Sequence, residues 1–300
     1  AARRAQSLAM PMIVLSQKRG VSSIGNYIFS NTITPASQVD TLVDFAVSQQ
    51  QLQRFFVLHP KNKIGKIYAD LFTEAIQAAG AEMIGVRDYE PHQVDFIEEF
   101  KEKKKADEEA QAEAAGENQL AEAEEETEQE EKLERRVYRV TGEEEKPFDA
   151  LFIPDSPWVV GYIVPSLAML GIQDVQLLGT SRWNNPQLVE RGGKYVEGAV
   201  FTSAFTKLGR HYETQTFIQR FEKSYEMEPT LLEAIGFDSM RMALTAVEDG
   251  SIRSSSIQHN LFRMTDFPGV TGQISFNRKG QSHRTLKLLR VSDGEINSLN

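Results

Sequence analysis

The stretch Arg54–Tyr89, RFFVLHPKNKIGKIYADLFTEAIQAAGAEMIGVRDY, reads as one strand-helix-strand unit. Phe55, Phe56, Val57 and Leu58 form an unbroken apolar run stopped by His59-Pro60. A run without polar alternation suits a strand covered on both faces. Ile64, Ile67, Tyr68, Leu71, Phe72, Ala75 and Ile76 then recur at helical spacing, and Gly80 stands where a helix C-cap belongs. Met83–Val86 is the next strand.

The same order returns further along. Ala150–Ile153 reads as a strand, Trp158–Leu170 as a helix, and Val175–Leu178 and Ala199–Phe201 as further strands. Repeated strand-helix-strand order with short connections predicts an α/β fold with parallel sheets flanked by helices, because such crossovers bury both sheet faces. Helices over Tyr212–Tyr225 and Leu231–Glu248 follow, then a Ser-rich joint at Ser254–Ser256 and a shorter helix. Near the end, Gln273–Phe276 and Thr285–Val291 flank Asn277-Arg278-Lys279-Gly280, a hairpin-type turn signal. At the other end, Ala1–Ser16 (AARRAQSLAMPMIVLS) reads as the tail of a helix running into a buried parallel strand. A domain does not normally start there, so the reading expects strands upstream of Ala1.

Composition narrows the function classes. The chain has 300 residues, 40% of them hydrophobic, enough for one large core or two smaller ones. The net charge of -10 is concentrated in residues 101–146, which hold 17 acids against 9 bases, while the remainder carries 26 acids and 24 bases. The only dense basic run, Lys101 and Lys103–Lys105, is answered at once by acids, which leaves nucleic acid without an electrostatic footprint. Zero cysteines exclude a disulfide framework, a thiolate metal site and a cysteine nucleophile. The longest apolar stretch, Trp158–Ile172, contains Gly161, Pro165 and Gly171 and is shorter than the roughly 20 residues of a membrane helix; it reads as a buried, kinked helix.

Residues 101–146 carry Glu in runs (Glu124–Glu126, Glu143–Glu145) and only scattered apolar residues such as Leu120 and Leu133. That is too little apolar surface to offset ordering entropy, so the segment reads as an acidic, disordered or helical insertion, with a solvated helix over about Asn118–Arg136. Its functional alternative is a docking arm for a cationic partner.

Several strings, in order, resemble the type 1 periplasmic binding proteins of the leucine/isoleucine/valine-binding class. They are Pro11-Met12-Ile13 followed by Ser16 and Gln17, then Tyr27-Ile28-Phe29, Thr34-Pro35 with Gln38, and Arg54–Gly65 (RFFVLHPKNKIG). Phe148–Ser156 (FDALFIPDS), Leu177–Asn184 (LLGTSRWN), Glu197-Gly198-Ala199 and Gly269-Val270-Thr271-Gly272 with Phe276 resemble a narrower branch. That branch is the binding-protein-like domain of penicillin-binding-protein activators, lipoproteins of the cell envelope that stimulate a peptidoglycan synthase. The resemblance implies two lobes: residues 1–31 and 207–275 as lobe one, N-terminally truncated, and residues 32–206 and 276–300 as lobe two. Chain crossings are expected near Thr32–Pro35, Thr202–Thr206 and Phe276–Gly280, with apolar surface exposed around Met12–Leu15. It further implies a periplasmic location, with anchoring to the outer membrane through an upstream region.

Open parallel sheets bind ligands just beyond the carboxyl ends of their strands. That rule selects Ser16 and Gln17, Asn62 and Lys63, Asp155 and Ser156, and Thr180, Ser181, Arg182 and Trp183 as candidate ligand-binding residues; the resemblance makes the same loops the walls of an interlobe cleft. Each has a plainer reading. Asp155 can cap the following helix, Arg182 can pair with a surface acid, Trp183 can be packing rather than a stacking platform, and Asn62 and Lys63 can be solvated loop residues. The pattern departs from amino-acid binders: the aromatic position before the loop glycine is Ile64, its counterpart after the Ala150 strand is Ser156, and the usual acid falls near Ser181. The site for an α-ammonium is therefore absent from the pattern, although Asp155 can supply one negative charge.

His59, His92, His211, His259 and His283 lack zinc-type spacing, and no segment reads as a nucleophile elbow or phosphate loop. The reading is thus a non-enzymatic module, without metal or cofactor. It binds a small polar, amino-acid-like or peptide-like solute for an ABC transporter permease or for sensing. The alternative is a ligand-free module that regulates a peptidoglycan synthase.

Overall fold

A computed structural model describes residues 1–16, 18, 20–90, 147–208, 211–247, 250 and 252–299. The acidic segment 101–146, His92 and the candidate Gln17 lie outside the described residues.

A short helix α1 (Ala2–Ser7) leads into β1 (Met12–Val14), which pairs in parallel with β2 (Ile28–Ser30). Residues 12–14 are half-buried and Leu15 is 37% exposed, so the expected apolar exposure there is partial. The chain then enters α2 (Pro35–Val43), capped by the Thr34 hydroxyl accepting from the Ser37 N–H, and continues through a π-helical turn at Asp44–Gln49.

The strand-helix-strand unit that decides the fold is present with slightly longer elements: β3 (Arg54–Pro60), α3 (Lys63–Ala78) and β4 (Glu82–Tyr89). Helix α3 buries Tyr68, Ala69, Phe72 and Ile76, all on one face, and Gly80, at φ +78°, turns the chain back as a glycine can without steric cost. Next come β5 (Ala150–Phe152), α4 (Pro157–Met169), β6 (Gln176–Gly179), α5 (Gln187–Gly192) and β7 (Val200–Ser203). Strands β4, β3, β5, β6 and β7 pair in parallel in that spatial order.

Both faces of this sheet are covered. Phe55, Val57, Ala150, Phe152, Leu178 and Val200 pack under α2 and α3, with the Phe72 and Phe152 rings stacked at 4.4 Å. Their alternates, Leu58, Leu151, Ile153, Leu177 and Phe201, pack under α4 together with Val160, Ile163, Val164 and Leu167. This two-sided burial explains the unbroken apolar runs in the sequence.

The chain leaves this sheet after β7 and forms α6 (Tyr212–Tyr225), α7 (Leu231–Thr245) and α8 (Ser254–Arg263), then a three-stranded antiparallel sheet of β8 (Phe267–Gly269), β9 (Gly272–Phe276) and β10 (Ser282–Arg284). The serines at Ser254–Ser256 open α8 rather than forming a joint before it. Phe29 of β2 sits in the core here, 4.7 Å from the Phe262 ring and 5.1 Å from that of Phe276. The predicted hairpin has a different partner: the turn after Phe276 returns as β10, pairing Ser282 with Phe276, so the last passage between the sheets comes at Thr285-Leu286 and not at Phe276–Gly280. Residues Lys287–Ser292 form β11, which joins the large sheet antiparallel to β7 and turns at Asp293-Gly294 into β12 (Glu295–Leu299). Both turn residues have positive φ, the usual two-residue hairpin chemistry of an Asp-Gly pair. No helix among the described residues is long and apolar enough to cross a membrane.

A buried polar chain ties the small lobe to the crossing segments. The Asp238 carboxylate accepts from the Val270 N–H (2.8 Å), the Thr271 N–H (2.9 Å) and the Thr271 hydroxyl (2.6 Å). Arg284, 4% exposed, donates to the Thr271 hydroxyl and to Asn31 Oδ1, and Asn31 Nδ2 donates to Ser239 Oγ at 2.8 Å. Burial lowers the Arg284 guanidinium to about 10, which leaves it protonated at neutral pH. Removing one member leaves buried donors unsatisfied and a buried charge uncompensated. Asp238→Ala is expected to cost about 3–5 kcal/mol in urea denaturation, against no more than about 0.5 kcal/mol for Asp70→Ala on the exposed face of α3.

Candidate functional site

Five parallel strands end on one edge of the large sheet, and the segments beyond them carry most of the residues selected from the sequence. Asn62 caps α3: its side-chain carbonyl accepts from the Ile64 (3.0 Å) and Gly65 (2.8 Å) N–H groups. Its oxygen is thus committed to the helix. Lys63, the first residue of α3, is exposed.

Asp155, just beyond β5, links neighbouring segments. One carboxylate oxygen accepts from the Tyr89 hydroxyl at the end of β4 (2.6 Å), and the other accepts from the Ser156 N–H (2.6 Å). Burial, with the adjacent Asp155 carboxylate, pushes the Tyr89 phenol upward, so it remains a neutral donor. Helix α4 starts at Pro157 with Ser156 as N-cap but without a side-chain capping bond, and its first turn is left open at this edge.

The segment after β6 is a 3-10 turn, Ser181–Trp183, held from both sides. The Ser181 N–H donates to Gln38 Oε1 at 2.8 Å; the same oxygen accepts from the Thr202 hydroxyl at 3.1 Å, while Gln38 Nε2 donates to the Tyr68 hydroxyl at 2.7 Å. Burial raises the Tyr68 phenol to about 12. On the other side the Trp183 indole is fully buried, lies flat over Gly179, and donates from Nε1 to the Asp155 carbonyl at 3.1 Å. A Cβ at position 179 would come within 2.1 Å of that indole, so glycine there is what admits it. Trp183 is therefore a core residue that fixes the spacing between the β5 and β6 ends, and the stacking-platform reading is corrected: a ring with no exposed face cannot stack on a ligand. Arg182, between these two anchors, is exposed. Thr180, 1% exposed, has an Oγ1 without a hydrogen-bond partner among the described residues.

Ser16 follows β1 in the smaller lobe, is exposed, and accepts from the Lys18 N–H at 3.2 Å. The described contacts do not bring it to the residues of the large sheet. Two residues of this edge are not among the candidates selected from the sequence: Gln38, which sits in the middle of a helix 143 positions from its partner Ser181, and Tyr89, whose hydroxyl meets Asp155 across 66 positions. Gln38 enters the sequence reading only as part of the Thr34-Pro35 string, and nothing local to either residue points to its partner. Beside the crossings, a separate groove of about 1310 Å³ runs between α2 and β10–β11, lined by Ser37, Asp40, Asp44, Gln281, Thr285 and Lys287 among others; it contains none of the candidate residues. No cluster of metal-ligating side chains occurs among the described residues.

Adjacent positions in the turn should respond oppositely. Trp183→Ala removes a fully buried indole and is expected to cost about 3–5 kcal/mol of stability, whereas Arg182→Ala is expected to stay within about 0.5 kcal/mol; paired urea titrations give both values.

Comparison with known proteins agrees with this architecture. A family model described as periplasmic binding protein matches residues 158–295. A search of curated protein sequences returns no match. Among solved structures, a Rhodospirillum rubrum protein assigned to branched-chain amino acid ABC transport superposes with a TM-score of 0.76 at 19% identity, over 99% of this chain and 75% of its own. A leucine-binding protein from Thermotoga maritima gives 0.68 at 19% identity, over 100% and 75%. An ABC transporter solute-binding protein from Rhodopseudomonas palustris, in complex with 3,4-dihydroxybenzoic acid, gives 0.65 at 16% identity, over 100% and 74%. The protein thus has the two-lobed fold of the type 1 periplasmic binding proteins, and its residues 158–295 carry the sequence pattern of the periplasmic binding protein family.

Proposed function

We propose that the protein is a non-enzymatic solute-binding module of the periplasm that holds a small polar solute between its lobes and presents it to an ABC transporter permease or a sensing partner. The observation that carries this reading is the built edge at β5 and β6. Buried groups (Gln38, Tyr68, Tyr89, Trp183) hold the two loops rigid, while Arg182 is left facing solvent. Preorganised polar groups at strand ends lose little entropy on binding, which is what a receptor site requires. The solved structures of similar fold, whose names refer to leucine, isoleucine or an aromatic acid, support the solute class in general terms.

In this reading Asp155, Ser156, Ser181 and Arg182 contact the solute from the large lobe, Ser16 meets it from the small one, and Lys63 lies at the rim. The described residues of 1–31 and 207–284 move as one lobe and those of 35–206 and 287–299 as the other, hinged at the three crossings. A solute that reaches both lobes only when they close binds the closed state better and so shifts the population toward it. Trp183 and Asn62 act as scaffold.

A second reading rests on the acidic stretch 101–146 and on the string Leu177–Asn184: an envelope module, carried as a lipoprotein on the outer membrane, that docks on a peptidoglycan synthase. The two separate on one deletion. Removing residues 101–146 is expected to leave solute binding intact; loss of capture of a peptidoglycan synthase by the same deletion favours the second reading.

A thermal-shift panel of amino acids, small peptides, sugars, aromatic acids and muropeptides tests the first. A solute at a hundredfold excess over its Kd is expected to stabilise the protein by about 2.7 kcal/mol, and no shift across the panel would refute it. Asp155→Ala is expected to weaken whichever solute gives the shift, as read by titration calorimetry.

A further inference from the structure

We infer that the solute held at the β5–β6 edge is recognised through an anionic group, a carboxylate received by Arg182, and that this edge has no subsite for an ammonium. The inference rests on the solute-binding reading above and adds the charge class of the ligand.

Three features of the turn carry it. First, Arg182 is fixed in place by its neighbours. Ser181 is tied to Gln38 through its backbone N–H, and Trp183 is buried under α4 with its indole bonded to the Asp155 carbonyl. The residue between two such anchors has little freedom except along its own side chain. Second, Arg182 is exposed, and no hydrogen bond or ion pair engages it among the described residues. Its charge opposes the upward push that burial gives the phenols of Tyr68 and Tyr89, whose hydroxyls are bonded to Gln38 and Asp155 at this same edge. Third, the acid at this edge, Asp155, is directed to structural contacts. One Asp155 oxygen accepts from Tyr89 and the other from the Ser156 N–H, so the carboxylate is held in place where β4, β5 and α4 meet.

An ammonium placed here meets the Arg182 guanidinium, which no acid among the described residues pairs, and like charges repel. A carboxylate meets the opposite arrangement. The planar guanidinium presents parallel donors to it, a geometry that a lysine cannot supply. The open first turn of α4, beside Asp155, adds a favourable dipole.

Calorimetry with three ligands that share one carbon skeleton tests the assignment: L-leucine, 4-methylpentanoate (which lacks the ammonium) and L-leucinamide (which lacks the carboxylate), with benzoate as an unrelated acid. The expected result is binding of 4-methylpentanoate or benzoate at least as tight as that of leucine, and none of leucinamide. Arg182→Gln is expected to weaken the acids about tenfold or more, Arg182→Lys to recover part of the loss, and Lys66→Gln, on the exposed face of α3, to change affinity less than about threefold. Urea titration of each variant checks that the fold is intact. Leucinamide binding as tightly as the acids, or acid binding unchanged in Arg182→Gln, overturns the carboxylate assignment while the solute-binding reading stands. Binding of none of the four also overturns it, and the wider thermal-shift panel then decides separately whether any solute is held.

Discussion

A parallel sheet buried on both faces has only its strand ends available for chemistry, and that constraint organises this protein. Backbone groups inside the sheet are taken up by the ladder, and side chains above and below it are taken up by packing against helices. Phe55, Val57 and Phe152 go to one face and Leu58, Leu151 and Ile153 to the other, so neither face has room for a ligand. Polar side chains collect where the chain leaves the sheet, at Asn62, Asp155, Ser156, Thr180 and Arg182.

Those polar residues divide into groups that hold the site and groups that it offers. The Gln38 amide is the clearest of the first kind. Its carbonyl takes the Ser181 N–H and the Thr202 hydroxyl, and its NH₂ reaches Tyr68, so one side chain joins α2, α3, β7 and the loop after β6. A buried amide satisfied on both ends is a rigid connector, because any displacement leaves a polar group unpaired in a low-dielectric setting. Trp183 has the matching role on the opposite face of the sheet, where packing and one hydrogen bond set the distance from β6 to β5. Arg182 stands between the two.

The smaller lobe is built on a different principle. Its antiparallel strands and Phe29, Phe262 and Phe276 make a modest apolar core, and a buried chain of polar contacts runs through it from Asp238 by way of Thr271 and Arg284 to Asn31. Asn31 and Arg284 lie at two of the three crossings, so this chain registers the crossing segments against the lobe.

The sequence by itself determined the α/β class, the order of strands and helices in the larger lobe and the loops that carry the candidate residues. These follow from local periodicity and from turn chemistry, and periodicity is a property of neighbouring residues. It also pointed to Asp155 and Arg182, because both sit a few positions beyond a recognisable strand. The tertiary structure alone decided what those positions do. Whether Trp183 faces a ligand or the core depends on Gly179 beneath it and on the Asp155 carbonyl beside it, and no spacing in the chain reports either contact. Gln38 and Tyr89 became visible only when segments 143 and 66 positions apart met. The hairpin after Phe276 was legible as a turn, but its partner was not: β10 is Ser282-His283-Arg284, which has no apolar pattern to mark a strand, yet it and not the more apolar β11 pairs with β9.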